Sequence, residues 1–188
     1  MAPLMILGSV PLFNIFAVII LTVESPQQHG KVTPSKLLYG VLTNPILDGI
    51  ILGTLYSLLP FGLPTLAQKT LTSLSSLTTP LALLSIGASF EGAKAIKKLA
   101  PTLVAACCKL MVLTTIFIPI AVKLGFRDQQ LIALLIMLGS PTTPSSYVMA
   151  KNMGHEGVLT SSCIALTTLL SALTLTGWIF VLRSGGYL

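Results

Sequence analysis

The sequence is poor in charge. Only 9% of its 188 residues are Asp, Glu, Lys or Arg, whereas a soluble globular domain carries about 25%. Aromatic residues make up 6% and do not interleave with basic residues in a patch, so the net charge of +6 does not indicate nucleic-acid binding. The composition therefore excludes a soluble domain and predicts no nucleic-acid partner.

Histidine and cysteine are also sparse, which limits the chemistry the chain can perform. His29 and His155 fall in segments that read as loops, and Cys107, Cys108 and Cys163 lie in apolar runs without metal-ligand or disulfide spacing. A hydrolase needs a nucleophile beside a positioned base, and ATP-driven transport needs a phosphate-binding glycine loop. Neither pattern is present, so we expect no enzyme, no catalytic residues, no cofactor and no metal site.

Long apolar runs take the place of charge. Hydrophobic residues make up 53% of the chain, and the runs are about 20 residues long, the length that crosses a bilayer core. They predict an all-α polytopic transmembrane helical bundle in the plasma or inner membrane. Six spans are expected, at residues 2–23, 37–59, 66–90, 101–122, 131–151 and 158–182.

Lysines between the runs predict the orientation of the chain. Lys94, Lys97 and Lys98 form a basic cluster after the third span, and such clusters stay in the cytoplasm. Alternation then makes 24–36 a cytoplasmic loop and leaves both termini outside. The third span itself is rich in Ser and Thr, which let membrane helices approach closely, so we expect it inside the bundle.

Two prolines interrupt the span at 131–151. Pro141 and Pro144 each remove a backbone donor and clash with the preceding turn, at about 3 kcal/mol each in a helix interior. Backbone groups freed in this way are tolerated at membrane depth only when buried in protein or lining a water-filled cavity. The segment predicts a broken helix of the type that forms transporter binding sites. A proline-kinked structural helix and a loop between two short spans are the alternatives.

The break has a predicted geometry. The first half should end near Gly139 or Ser140 and the second should begin at 144–146, because proline suits the first helical turn. The N–H groups of Ser146 and Tyr147 would then be free in the gap, where the positive helix end favours a carboxylate. Tyr147 either caps this site or packs. The candidate substrate-binding residues here are Pro141, Thr142, Thr143, Pro144, Ser145, Ser146 and Tyr147.

Two polar residues elsewhere complete the candidate site, Lys109 and Asn44. A lysine at a helix centre costs about 2.5 to 3.5 kcal/mol on insertion scales, so Lys109 should face the bundle interior and pair, with Asp48 as the candidate partner, or snorkel to the cytoplasmic surface. Asn44 precedes Pro45, and its amide either satisfies a carbonyl freed by a kink or contacts the substrate. We include both Asn44 and Lys109 among the candidate substrate-binding residues.

Three stretches resemble a known family. The closing two helices of the auxin efflux carrier family are similar to PTTPSSYVMAKNMGHEGVLTSSCIALTTLLSALTLTGW. The family's sixth helix is similar to NPILDGIILG, and its seventh helix is similar to PLALLSIGASF. The resemblance implies two inverted five-helix repeats, each with a broken crossover helix at its fourth position. Residues 1–23 then correspond to the last helix of a first repeat, 24–36 to a cytoplasmic loop, and 37–188 to a second repeat with its crossover helix at 131–151.

The same resemblance implies a function. The chain would be a piece of a ten-helix secondary transporter, a permease or efflux carrier for small organic anions such as auxin-like acids, malonate or malate. Its partners would be the lipid bilayer, the anion, a proton or sodium ion for coupling, and either the missing N-terminal repeat or a second copy. The alternatives are a sodium-coupled symporter of the bile-acid type, with the carbonyls of 141–143 on the cation, and a non-transporting membrane subunit or scaffold.

Overall fold

The computed structural model describes residues 2–24, 39–40, 42–60 and 62–188, and the elements in these ranges are all helical. This confirms the predicted all-α fold. The loop expected at 24–36 lies outside the described residues, apart from Glu24. The helices are α1 (Ala2–Val23), α2 (Pro45–Ser57), α3 (Thr65–Ala88), α4 (Gly92–Lys97), α5 (Leu99–Cys107), a π-helical turn (Cys108–Val112), α6 (Leu113–Lys123), α7 (Asp128–Gly139), α8 (Pro144–Asn152) and α9 (Val158–Ser184).

Four stretches of the described chain are long and apolar enough to cross a membrane. They are Thr65–Ala88, Leu99–Lys123, Asp128–Asn152 and Val158–Ser184. The six predicted spans thus correspond, in the described residues, to these four and to two shorter apolar helices, Gly8–Val23 and Pro45–Ser57.

The second predicted span is divided at Asn44. Thr43 N–H donates to Tyr39 O at 3.0 Å and closes the preceding turn. Asn44 then becomes the N-cap of α2, because its Oδ1 accepts the N–H of Ile46 at 3.0 Å and Pro45 occupies a first-turn position that needs no donor. The side-chain oxygen of Asn44 thus caps a new helix. The predicted contact of its amide stays a prediction, since the carbonyl that Pro45 would free, that of residue 41, lies outside the described residues.

One compact unit contains Ile86–Tyr147 and Glu156–Leu188. Its core is formed where α6, α7 and α9 meet, around Ile118, Leu131, Leu135 and Leu182, which are at most 3% exposed. Leu131 and Leu135 are four residues apart, so both project from the same face of α7. The long helix α9 packs most extensively on α5. It also contacts α4, the π turn and α7.

The other unit contains Leu4–Ser85 and Val148–His155. Val18 of α1, Leu47 of α2 and Met149 of α8 form its buried cluster. The ring Nε2 of His155 lies 3.0 Å from the carbonyl oxygen of Leu21, near the end of α1. The loop that follows α8 is thereby attached to α1.

Helix α3 differs from its prediction. Only Ala82 and Ile86 of this helix are buried within the chain, so the expectation that α3 lies inside the bundle is wrong for the chain by itself. Its hydroxyls bond to carbonyls of their own helix, for example Thr70 Oγ1 to Leu66 O at 2.9 Å and Thr72 Oγ1 to Gln68 O at 2.8 Å. Hydroxyls satisfied in this way do not require a neighbouring helix, which is why composition alone misplaced α3.

Candidate functional site

The membrane-length stretch Asp128–Asn152 is interrupted where the prolines predicted it. Helix α7 ends at Gly139 and α8 begins at Pro144, with residues 140–143 unwound between them. The 12 residues of α7 extend about 18 Å, somewhat more than half of a hydrocarbon core of about 30 Å. The predicted stop and restart are confirmed, and the interruption lies near the middle of the membrane-length stretch.

Several polar groups between Gly139 and Tyr147 form hydrogen bonds with one another. Ser146 donates its backbone N–H to Thr143 O at 3.1 Å and its hydroxyl to the same oxygen at 2.7 Å. Thr143 Oγ1 and Ser145 Oγ are 2.9 Å apart. The prediction that the N–H of Ser146 is free is therefore wrong, because the turn into α8 closes on Thr143. By contrast, the N–H of Ser145 has no hydrogen bond to any described residue.

Helix α9 holds the unwound backbone. The N–H of Thr142 donates to Thr167 Oγ1 at 3.1 Å, and Thr167 is 1% exposed. Sequence reasoning missed Thr167, because its partner is a backbone group 25 residues away. The available signal was a hydroxyl on the same face as another small polar residue of an apolar helix, namely Ser171, four residues further on, which is also buried.

The end of α7 is packed closely. A Cβ added to Gly139 would lie 2.9 Å from Leu175 Cδ2 and 3.4 Å from Thr114 Cγ2. Real side chains do not approach so closely without a shift, so glycine permits α7 to end against α6 and α9. The interruption is thus bounded by close contacts with its neighbours.

Tyr147 packs instead of facing an open gap. It is 3% exposed, and its hydroxyl donates to Ser89 Oγ at 2.7 Å. Of the two predicted roles, the geometry favours packing, which orients the first turn of α8.

Lys109 lies in the π-helical turn Cys108–Val112 and is half-buried. Ten residues separate it from Leu99, so it lies near the middle of the membrane-length stretch Leu99–Lys123. The π turn packs against α7 and α9, and such turns frequently occur at functional sites. The Lys109 amine has no hydrogen bond or ion pair with the described residues of its own unit. Asn44 and Asp48 belong to the other unit, so the pairing of Asp48 with Lys109 stays a prediction.

Charged side chains lie around α4 and the start of α9. Lys98 Nζ is 3.0 Å from Glu156 Oε2, and Lys94 Nζ is 2.9 Å from Glu91 Oε2. The hydrogen bond and charge of Glu91 raise the pKa of exposed Lys94 above its ordinary value. Among the residues with described positions, no group of three His, Cys, Asp or Glu is placed to hold a metal ion.

Two open clefts lie away from the interruption. One, of about 550 Å³, is at the turn between α6 and α7, beside Arg127 and Asp128. The other, of about 450 Å³, lies between the π turn and α9, beside Met111 and Trp178. Neither is lined by residues 139–147. These clefts therefore do not provide a pocket for the candidate residues at the break.

Comparison with protein families adds an independent finding. Residues 10–179 match the family described as membrane transport protein. No match was found among curated proteins or among solved structures. Because the family match covers most of the 188 residues, and four described stretches have membrane length, the chain is a multi-pass membrane protein of the auxin efflux carrier family of membrane transport proteins.

Proposed function

We propose that this chain forms the anion-binding half of a secondary transporter for small organic anions. The observation that carries the proposal is the interruption between Gly139 and Pro144, in the middle of a membrane-length stretch. Broken helices at this depth are the usual substrate sites of secondary transporters, since their ends offer unpaired backbone groups inside the membrane.

The electrostatics of the interruption favour an anion. Helix α8 begins at Pro144, so its positive end faces the unwound residues. The N–H of Ser145 has no acceptor among the described residues. The hydroxyls of Thr143 and Ser145 share one hydrogen bond at 2.9 Å, so the hydroxyl that accepts it keeps its proton for a carboxylate oxygen. Among the candidate residues, we assign substrate contact to Thr143 and Ser145, and a shaping role to Pro141, Thr142, Pro144, Ser146 and Tyr147.

The alternative of a sodium ion bound by the unwound carbonyls is less well supported. Thr143 O already accepts two hydrogen bonds from Ser146, at 3.1 Å and 2.7 Å. A carbonyl oxygen has two lone pairs, so this group has little capacity left for a cation. A bile-acid type of sodium site at 141–143 would thus lose one of its three carbonyl ligands. A proton or sodium ion bound elsewhere can still couple transport.

Lys109 supplies the counter-charge in this proposal. It lies near the middle of its membrane-length stretch, in a π turn that packs against α7, the helix that leads to the interruption. No acidic residue of its own described unit pairs with its amine, and a lysine inside a membrane gains by meeting the negative charge of a substrate. Asn44 has its Oδ1 engaged in capping α2, which leaves its amide N–H₂ as the group that could contact an anion.

The proposal includes a partner. The interruption is not enclosed by either cleft of the chain, and α3 is exposed along nearly its whole length. The missing N-terminal repeat of a ten-helix carrier, or a second copy of this chain, would complete the site. The exposed α3 also supports the second candidate function, a non-transporting subunit that packs against other membrane helices.

Uptake by reconstituted protein tests the proposal. The complete carrier in vesicles, with this chain joined to the repeat or copy that completes its site, should accumulate labelled malonate, malate or indole-3-acetate. Pro141→Ala with Pro144→Ala should abolish that uptake, because the helix can then continue through the gap. Pro119→Ala, within α6, is the matched control and should leave uptake intact. Wild-type uptake by the double variant would show that the break is only structural. A complete wild-type carrier that accumulates none of the three acids would favour the non-transporting subunit.

A further inference from the structure

A hydroxyl of α9 constrains the unwound backbone of the interruption. Thr142 donates its N–H to Thr167 Oγ1 at 3.1 Å. Since Thr167 is 1% exposed, its hydroxyl is shielded from water. A buried N–H without an acceptor is unfavourable, so this bond restricts where the backbone of Thr142 can lie relative to α9.

The hydrogen bonds of the Thr167 hydroxyl within α9 leave it able only to accept from Thr142. Its proton goes to Cys163 O at 2.6 Å, with Ile164 O at 3.3 Å. A hydroxyl has one proton and two lone pairs, so Thr167 can serve Thr142 only as an acceptor. The bond to the preceding turn also selects one side-chain rotamer, because threonine in a helix is stiff about its first torsion. Oγ1 is therefore held at a defined point on α9.

The same helix also contacts the start of the interruption. Leu175 lies against Gly139, and Leu175 is eight residues after Thr167. Residues seven or eight apart project from the same face of a helix. One face of α9 therefore meets both the end of α7 and the middle of the unwound segment.

We propose that Thr167 is a positioning residue of the transport site, which fixes the unwound backbone so that the donors at 143–145 converge on the substrate anion. This role rests on the proposed function. Thr167 itself does not contact the anion, because it is buried and its proton is used within α9. Its loss should let residues 140–143 move and weaken binding of the anion.

Amide hydrogen exchange directly measures the hydrogen bond between Thr142 N–H and Thr167 Oγ1. In lipid nanodiscs, peptides that cover residues 140–143 should exchange on the order of tenfold faster in Thr167→Val, which keeps the shape and removes the hydroxyl, as expected for one lost hydrogen bond. Thr167→Ser should exchange at the wild-type rate. Thr168→Val is the matched control, because the Thr168 hydroxyl bonds to Ile164 O of its own helix at 2.6 Å. Unchanged exchange in Thr167→Val would show that this hydrogen bond does not restrict residues 140–143.

Transport kinetics separate positioning from folding. With labelled malonate, Thr167→Val should raise KM about tenfold with a smaller change in Vmax, and Thr167→Ser should restore the wild-type KM. Loss of folded protein alone would lower Vmax and leave KM unchanged. Faster exchange with a wild-type KM overturns the positioning role and leaves the proposed function standing. Wild-type protein that takes up no malonate, malate or indole-3-acetate overturns the proposed function, and the positioning role with it.

Discussion

Tyr147 donates its phenolic hydroxyl to Ser89 Oγ at 2.7 Å. Tyr147 is in the first turn of α8, immediately after the interruption, and Ser89 comes directly after α3. The bond therefore connects the start of α8 to a residue 58 positions earlier in the chain. Because the start of α8 carries the proposed anion site, this contact helps to determine where that site lies.

Removing this hydroxyl should destabilise the protein modestly. We expect Tyr147→Phe to lower the free energy of unfolding by about 0.5 to 1.5 kcal/mol, the net contribution of one hydrogen bond. The fluorescence of the one Trp in the chain, Trp178, can report denaturant unfolding in detergent. Tyr56→Phe is the control, since the Tyr56 hydroxyl has no hydrogen bond to the described residues and its removal should have no effect. Equal stabilities for Tyr147→Phe and wild type would show that this hydrogen bond does not stabilise the start of α8.

A methyl group at Gly139 should also be unfavourable. Gly139→Ala places a Cβ 2.9 Å from Leu175 Cδ2 and 3.4 Å from Thr114 Cγ2, and overpacking of this kind costs about 1 to 3 kcal/mol. The end of Leu175 can move, so we expect the lower part of that range in the same unfolding assay. Gly177→Ala, where a Cβ meets nothing within 4 Å, should be neutral or stabilising.

A second substitution tests whether the contact between position 139 and Leu175 causes this destabilisation. Combining Gly139→Ala with Leu175→Ala should cost less than the sum of the two single changes, because the clash disappears. Strict additivity would mean that Leu175 does not limit the residue at position 139.

Lys109 should matter for substrate binding more than for folding. We expect Lys109→Gln to raise the KM for malonate uptake about tenfold or more, since a hydrogen bond to a charged group contributes about 1.5 to 3 kcal/mol. Lys109→Arg should retain part of the affinity because it keeps the charge. Lys123→Gln, at the end of α6, is the control. Wild-type kinetics for Lys109→Gln would assign Lys109 to the membrane surface and not to the site.

The orientation predicted from the lysine cluster can be measured by labelling. In a variant without Cys107, Cys108 and Cys163, a cysteine at position 62 should react with a membrane-impermeant reagent in intact cells. A cysteine at position 92, beside Lys94, should react only after permeabilisation. Reaction at position 92 in intact cells would reverse the topology.

The features predicted correctly are those with local causes. Pro141 and Pro144 forced a break within a few residues of their own positions, because the missing donor and the ring clash act on the preceding turn. The four membrane-length stretches likewise lie within a few residues of the spans predicted from the apolar runs. The break predicted near Gly139 and the restart at Pro144 therefore needed no knowledge of other helices.

The errors concern polar groups with more than one possible partner. The oxygen of Asn44 caps α2, a role that the sequence did not predict, and the N–H of Ser146 was expected to be free but bonds to Thr143 O. Both outcomes depend on a competition between nearby backbone groups of similar strength, which composition does not resolve. The hydroxyls of α3 were read as contacts to other helices, although many of them bond to their own turn.

The sequence by itself determined that this chain lies in a membrane, that its elements are helices, and that one of its membrane-length stretches is broken at two prolines. These properties follow from apolar run length, from backbone satisfaction in lipid and from proline geometry, all of which act within about one helical turn or one span. Only the tertiary structure decided that Thr167 accepts the N–H of Thr142, that Tyr147 bonds to Ser89, and that Leu175 lies against Gly139. These contacts join residues 25 to 58 positions apart and depend on how different helices pack against one another, which no local pattern encodes.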